Sequence, residues 1–595
     1  MWRALASTFL CLAALGSQVV AQTYEAEAGL LTGVTVDTAA SGFSGTGYVT
    51  GFDEADDQVA IAINTTTYGV YTLSIRYRAA NGDKKAALFL DGTGAGEVSL
   101  VSSTSFTSVT AGKLLLDAGA HTLTIKSDWG WYDIDSITLA PAPLPPATGT
   151  FEAEDGILTG NTYIDSTSAT GFSGTGFVTG FQAGGDSVAI LVNAPSYAVY
   201  TLTVRYRAPY GDKKTALVVN GSPSGEVDLA ATNDFTTAPG GKVLLNQGSN
   251  IITFQNDWGW YNIDAITIAV APSPPPHKAN KPPVDKLATW EARSLLKYIQ
   301  NKYGKKILSG QQELEYIDWL KTNVGKKPAI AGLDLIEYSP SRVEHGSTSH
   351  AIEDAFAWDK LGGITTFVWH WNAPSGLIDL PGQEWWRGFY TAATTFDIAA
   401  TLANKNGTDY KLILRDLDAI AVQLKRLQSK RIPILWRPLH ESVAAGWFWW
   451  SAKGPEATIE LYRLMYKRFT EYHHIHNLIW VWSSPEPAFY PGDDVVDIIG
   501  FDSYPALGDH GPVSSTYDTV ISIVNDKKPV TLSEVGSIPD PDLLQVYHAD
   551  WSYFVVWGGE FINDNSHNPI SFLKKVYNST YVITLGEVGN FKYLL

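Results

Sequence analysis

Two glutamates hold the most chemically suggestive positions in this sequence. Glu441 closes an apolar run, IPILWRPLHE, and just beyond it Gly446 leads into Trp447, Phe448, Trp449 and Trp450. Glu534 closes a second run, KPVTLSE, 93 residues further on. Apolar runs of this kind suit strands covered on both faces, which places each glutamate at a strand's C-terminal end. Cleaving a glycosidic bond needs two carboxyls, one holding a proton for the leaving oxygen and the other ionised. Partial desolvation lets a glutamate keep its proton near neutral pH. Aromatic faces stack on the C–H faces of sugars. Taken singly, each glutamate reads as a strand-end ion pair and the aromatic cluster as a packing loop. Their combination points to carbohydrate hydrolysis.

The elements that must hold these residues begin near Leu287. Helical patterns such as WEARSLLKYIQNKYG alternate there with eight strand-like runs: KKILSG, PAIAGLDL, ITTFVWH, IPILWRPLHE, LIWVWSS, DIIGFDSY, KPVTLSE and YFVVWGG. Eight strands interleaved with helices predict a (β/α)8 TIM barrel, whose functional residues gather at the C-terminal ends of the strands. A doubly wound open sheet is the alternative, but there is no Gly-rich phosphate loop. His370, Glu441, Asp502 with Tyr504, and Glu534 all fall at strand ends. Glu441 and Glu534 close the fourth and seventh strands, so they face each other across the mouth. TLGEVG at 584–589 nearly repeats TLSEVG, but only Glu534 is followed by a further strand and a helix, PISFLKKVY, that complete the barrel. Glu587 is therefore expected to be structural. His473, His474 and His476 match no closed zinc spacing and are expected to be a solvated helix end.

Upstream the sequence repeats itself. YEAEAGLLTG from Tyr24 returns as FEAEDGILTG from Phe151, and DWGWYDIDSIT from Asp128 returns as DWGWYNIDAIT from Asp257. Ser41 and Thr170, Tyr71 and Tyr200, and Asp128 and Asp257 keep a constant offset of 129. Short alternating strands with Gly, Asn-Gly and Asp-Gly turns predict an antiparallel β-sandwich for each copy. Two Trp separated by one Gly, Trp129 with Trp131 and Trp258 with Trp260, cannot easily both be buried, which favours binding. Pro-rich stretches after each copy predict extended, semi-rigid spacers. The expected organisation is a signal peptide at 1–21, a module at 22–140, a linker at 141–149, a module at 150–270, a linker at 271–286 and a catalytic domain at 287–595.

The formal charge of −18 argues against nucleic acid and anionic membranes as partners, and permits a neutral polysaccharide. Fifteen of the 20 Trp lie after residue 287, which favours carbohydrate handling in that region. MWRALASTFLCLAALGSQVVAQ has the form of a secretory signal, with cleavage expected after Ala21. The single cysteine, Cys11, lies within it, so the mature protein is expected to be extracellular and free of disulfides. Asn64, Asn220, Asn406 and Asn578 stand in N-x-[ST] sequons.

The two repeats resemble carbohydrate-binding modules of family 35. That resemblance implies a structural calcium in each, held by Glu25, Glu27 and Asp135 and by Glu152, Glu154 and Asp264. It also implies sugar platforms at Trp129, Trp131 and Asp133, and at Trp258, Trp260 and Asn262. The change from Asn262 to Asp133 sets the two modules apart. The stretch from 287, with WHWNAP, WRPLHE followed by GWFWW, and TLSEVG, resembles glycoside hydrolase family 26, mostly endo-β-1,4-mannanases. This implies a retaining reaction with Glu441 as general acid/base and Glu534 as nucleophile. The carboxyls would then stand about 5–5.5 Å apart, and a gap beyond about 6.5 Å would mean inversion. The resemblance further implies that His370, His440 and Trp557 line the sugar site, that Tyr504 orients the nucleophile, and that Trp447 and Phe448 border the leaving group. Trp449 and Trp450 revert to packing. No cofactor is expected for catalysis. The whole reads as a secreted, monomeric enzyme acting on plant cell-wall mannan. The alternatives are 1,3-xylan or mixed-linkage glucan as substrate, or a polysaccharide-binding protein without catalysis.

Overall fold

Each repeat folds as two antiparallel sheets face to face. In the first, one sheet runs Thr35–Asp37, Tyr48–Thr50, Asp133–Pro141, Gly69–Ala79, Ser103–Leu116, with Gln22–Glu25 added along Asp133–Pro141. The facing sheet runs Leu30–Thr32, Gln58–Thr65, Gly119–Trp129, Lys84–Leu90, Thr93–Leu100. The second repeat has the same order. Period-two alternation builds the core: in VYTLSIRY, Tyr71, Leu73, Ile75 and Tyr77 are buried between the sheets. The structure, a computed structural model, describes residues 21–147, 149–444 and 446–594. The expected signal segment, with Cys11, lies outside the described residues apart from Ala21.

The chain divides into two units, one ending at Ala271 and one beginning at Pro272. Both sandwiches belong to the first, and there the expected spacer at 141–149 proves to be partly built in. Pro141 completes a strand, and the Ala142 N–H donates to the Val70 carbonyl at 2.9 Å. Val70 and Ala142 share an apolar cluster with Ala189 and Ile251 of the second repeat. The Asn193 amide also donates to the Pro145 carbonyl at 2.9 Å. The repeats are packed neighbours, because apolar surface at their facing edges is better buried than solvated.

The second unit is a closed barrel of eight parallel strands: β1 Gly310–Gln312, β2 Ile330–Asp334, β3 Ile364–Val368, β4 Ile434–Arg437, β5 Leu478–Ser483, β6 Ile498–Ser503, β7 Val530–Val535 and β8 Phe554–Val556. All eight predicted runs supply a strand. KKILSG differs in detail, since Ile307–Leu308 pairs outside the barrel with Val582–Ile583, and β1 starts only at Gly310. The helix Trp290–Lys302 plugs the N-terminal end, packing Leu295, Leu296 and Ile299 against inward residues such as Ile330, Leu435 and Ile479. The second expected spacer, 271–286, is pinned from its middle onward. The His277 ring sits between Asp526 (2.8 Å) and Asp550 (3.2 Å), and the Val284 N–H donates to Asp497 at 2.8 Å. Two of the three clustered histidines are likewise tied rather than solvated, His473 to Asp418 at 2.6 Å and His476 to Asp285 at 2.7 Å. Glu587 closes a capping box on Thr584, bonding its N–H at 2.8 Å and its hydroxyl at 2.9 Å. Among the described residues no helix is long and apolar enough to cross a membrane.

Candidate active site

Alternation along β4 sets the floor of the barrel mouth. Ile434 and Trp436 pack outward under the helices, so Leu435 and Arg437 point inward. The Arg437 guanidinium is buried between two carboxylates, 3.0 Å from Asp502 Oδ2 and in contact with Glu534 Oε1. Asp502 also accepts from the hydroxyls of Ser483 and Ser533, each at 2.7 Å. The register between β6 and β7 slips after Phe501 and Leu532, so that Asp502 faces Glu534. A bulge of this kind re-aims a side chain. It lets consecutive residues Ser533 and Glu534 both reach the Asp502–Arg437 network.

Beyond β4 the chain turns sharply. Leu439 and Glu441 both adopt left-handed backbone, each at φ 51°, on either side of His440. Non-glycine residues take this conformation only where their surroundings impose it. The Glu441 N–H, donating to the Ser483 carbonyl at 3.0 Å, fixes the turn to β5. Glu441 thereby comes over the mouth, and single oxygens of Glu441, Asp502 and Glu534 all lie within 4.8 Å of one another. Such a carboxylate trio has the composition of a hard-cation site, but Arg437 already supplies the positive charge between two of its members.

The electrostatics separate the two glutamates. Burial pushes the Glu441 carboxyl up to about 8, with Asp502 and Glu534 adding repulsion; Arg437 and the Trp447 N–H, 3.0 Å away, oppose this only in part. Burial raises Glu534 as well, but the Arg437 guanidinium, the Tyr504 hydroxyl (2.6 Å) and His370 all hold it back. Two donors, the Arg437 guanidinium and the Tyr504 hydroxyl, reach Glu534 and one, the Trp447 N–H, reaches Glu441, so a negative charge is better supported on Glu534. Tyr504 itself is pushed far above the ordinary phenol range by burial and by Glu534, so it donates to the carboxylate and keeps its proton.

The other expected residues gather around this pair with one exception. Burial opposes charge on His370, but the Asp334 carboxylate, 2.6 Å from its Nδ1, outweighs this and raises its pKa. His440 lies edge-on to that ring at 4.6 Å, and burial, Arg437 and His370 hold it well below the usual range as a neutral imidazole. Trp557 approaches His370 at 5.8 Å between ring centres, and Trp447 is half exposed at the rim. Phe448 is the exception. It is only 4% exposed and stacked on Trp450 at 4.5 Å, so it supports the two histidines from behind and offers no face to a sugar. Trp449 and Trp450 are fully buried. Sequence reading missed Arg437 and Asp334 and left Asp502 without a role. The signal for Arg437 was a lone charge inside the apolar run ILWRPL. A buried cation requires buried carboxylate partners.

In the sandwiches, Trp129, Trp131, Trp258 and Trp260 are 62%, 61%, 60% and 56% exposed. Each pair is held out by the intervening glycine. A Cβ on Gly130 would meet the Phe52 carbonyl oxygen at 2.0 Å, and one on Gly259 the Phe181 oxygen at 2.3 Å. Asp133 does not offer a free carboxylate there, because it is buried and paired with Arg78 at 2.6 Å. Two acids of each set come together on a serine. Ser44 bridges Glu25 (2.8 Å) and Asp135 (3.1 Å), and Ser173 bridges Glu152 (2.7 Å) and Asp264 (3.2 Å). Arg76 and Arg205 neutralise the two aspartates, while Glu27 Oε2 and Glu154 Oε2 are buried without a partner. Carboxylate oxygens left over in this way fit a hard cation.

Comparison with known proteins follows the same division. Residues 284–587 match Glycosyl hydrolase family 26, and residues 22–142 and 149–271 each match Carbohydrate binding module (family 35). A mannan endo-1,4-beta-mannosidase from Thermothelomyces thermophilus is 47% identical over 454 residues, 76% of this chain and 93% of that protein. The solved GH26-CBM35 beta-(1,4)-mannanase of Podospora anserina is 48% identical, with a TM-score of 0.58 over 75% of this chain and all of that one. A solved ruminal GH26 endo-beta-1,4-mannanase is 29% identical, with a TM-score of 0.60 over 75% of this chain and 99% of that one.

Proposed function

The chain belongs to glycosyl hydrolase family 26 and carries two family 35 carbohydrate-binding modules, and from this we propose that it is an endo-β-1,4-mannanase working by double displacement at Glu441 and Glu534. Glu534, ionised beside Arg437 and Tyr504, attacks the anomeric carbon of the sugar in the mouth. Glu441 gives its proton to the departing glycosidic oxygen, then takes one from the water that releases the glycosyl-enzyme. The observation that carries this reading is that single oxygens of Glu441 and Glu534 lie within 4.8 Å of each other, closer to the short separation of direct attack than to the wider gap that holds an inverting enzyme's water. His370, His440 and Trp557 would hold the sugar attacked, and Trp447 would flank the leaving group while bonding the acid. Mannan, galactomannan and glucomannan are the proposed substrates. The secretory form of the first 21 residues supports action outside the cell.

The test is proton NMR of the first reducing ends released from β-1,4-mannan. The β-anomer is expected to appear first and then mutarotate; an initial α-anomer would require inversion, and no release from any mannan would remove the assignment. The modules are proposed to hold the enzyme on insoluble polysaccharide, raising its effective concentration there. The calcium sets are proposed to be stabilising. Chelation is expected to lower the melting temperature of the module unit and added calcium to restore it, whereas an unchanged melting curve would leave these acids as ordinary strand-end groups.

A further inference from the structure

We propose that the two modules are unequal, and that Tyr210 makes the second the stronger anchor for a neutral β-1,4-linked hexose chain by adding a third aromatic wall to its platform. The inference rests on the modules being polysaccharide-binding. Tyr210 stands in the turn between Ala198–Ala208 and Lys213–Val219, where the first module has Asn81. It is 71% exposed, the most open tyrosine of the unit, so packing does not account for it. Its ring lies 6.3 Å from that of Trp260 with the planes at 79°. The two rings wall a corner in which a sugar stacked on one lies with its edge toward the other. Lys213, at the end of the same turn, sits 5.0 Å from the Trp258 ring and fixes that face of the platform.

A second difference runs the same way. Arg78 and Asp133 are cross-strand partners in the first module and form an ion pair. Their counterparts Arg207 and Asn262 are also cross-strand partners, but Arg207 turns away to the Asn233 carbonyl at 2.6 Å. Asn262 accepts from the Thr179 hydroxyl at 3.3 Å. Beside its tryptophans the second module thus carries a neutral amide, as buried as Asp133, where the first carries an ion pair. Neutral sugar hydroxyls can use the former at little desolvation cost, whereas engaging the latter means disturbing a charge pair.

The experiment uses the full chain in a Glu441→Ala background, so that mannan survives, and reads retention on insoluble β-1,4-mannan. With the first platform blanked by Trp129→Ala and Trp131→Ala, Tyr210→Asn is expected to weaken retention about tenfold. With the second platform blanked by Trp258→Ala and Trp260→Ala, Asn81→Tyr is expected to strengthen what the first module retains. Retention that ignores both Tyr210→Asn and Asn81→Tyr, but is lost when Trp258 and Trp260 are removed, would overturn the inequality and keep the modules as binders. Retention unchanged when all four tryptophans are removed would overturn the binding reading itself.

Discussion

Glu441→Ala is expected to slow hydrolysis of unactivated mannan by about 10³-fold, within the range that a positioned general acid supplies. An aryl β-mannoside with an acidic phenol needs no proton for departure, so the rate of its first step should fall far less. The second step still lacks its base, and added azide should relieve it and yield a β-glycosyl azide. The pH profile adds a separate check. In the native enzyme Glu441 must be protonated to act, and its carboxyl is pushed to about 8 by burial and by Asp502 and Glu534. Turnover of mannan is therefore expected to fall as pH rises through about 8, and the alanine variant should lose that limb for the aryl substrate. Stability follows by linkage. A carboxyl raised on folding contributes fully below its unfolded value of about 4.3, and this contribution is lost as pH rises toward the folded value. At pH 7 the native enzyme already bears part of that cost, so Glu441→Ala should melt higher there while being nearly inactive. Equal rate losses on mannan and the aryl substrate, with the alkaline limb intact, would take the acid role away from Glu441.

How much of this was legible in the sequence depends on whether a feature is local. Barrel strands announce themselves as apolar runs, and Glu441 and Glu534 stand at the ends of two of them. The repeat fixes the modules, and DWGW exposes its two tryptophans because Gly130 and Gly259 press against a backbone carbonyl where no Cβ fits. Glu587 could be set aside by its place after the last helix, and its capping role agrees. What sequence does not carry is register. The slip that lets Ser533 and Glu534 both meet Asp502 is a property of the pairing of β6 with β7, and neither strand shows it alone. The family resemblance puts Phe448 beside the leaving group together with Trp447, but the left-handed turn at Glu441 brings Trp447 to the rim and carries Phe448 beneath the histidines. The spacers show a related limit. Proline richness stiffens a chain but does not say whether its side chains find a partner, as His277 does between Asp526 and Asp550.

Arg437 is where that missing information has its largest consequence. Its guanidinium is the largest influence holding the Glu534 carboxyl down against burial, and it neutralises Asp502 at the same time. Arg437→Met keeps much of the volume and removes the charge, leaving two buried carboxylates facing each other. Breaking a buried pair in this way costs about 3–5 kcal/mol, because the remaining charge has no compensation. Chemical denaturation should register that loss for the catalytic unit. The nucleophile should also gain a proton that it does not hold in the native enzyme, which moves the acid limb of the pH profile upward. At neutral pH activity should drop by about 10²-fold or more, since a misplaced, protonated nucleophile loses both geometry and charge. Arg437→Lys separates the two effects. A lysine restores one positive charge but not the planar fork that spans Asp502 and Glu534, so it should recover part of the stability and little of the rate. Adding Asp502→Asn to Arg437→Met removes one of the stranded charges and should also return stability, again without returning activity, because Glu534 still lacks its partner. An Arg437→Met enzyme with native stability and an unmoved acid limb would mean that Tyr504 and His370 suffice to keep Glu534 ionised.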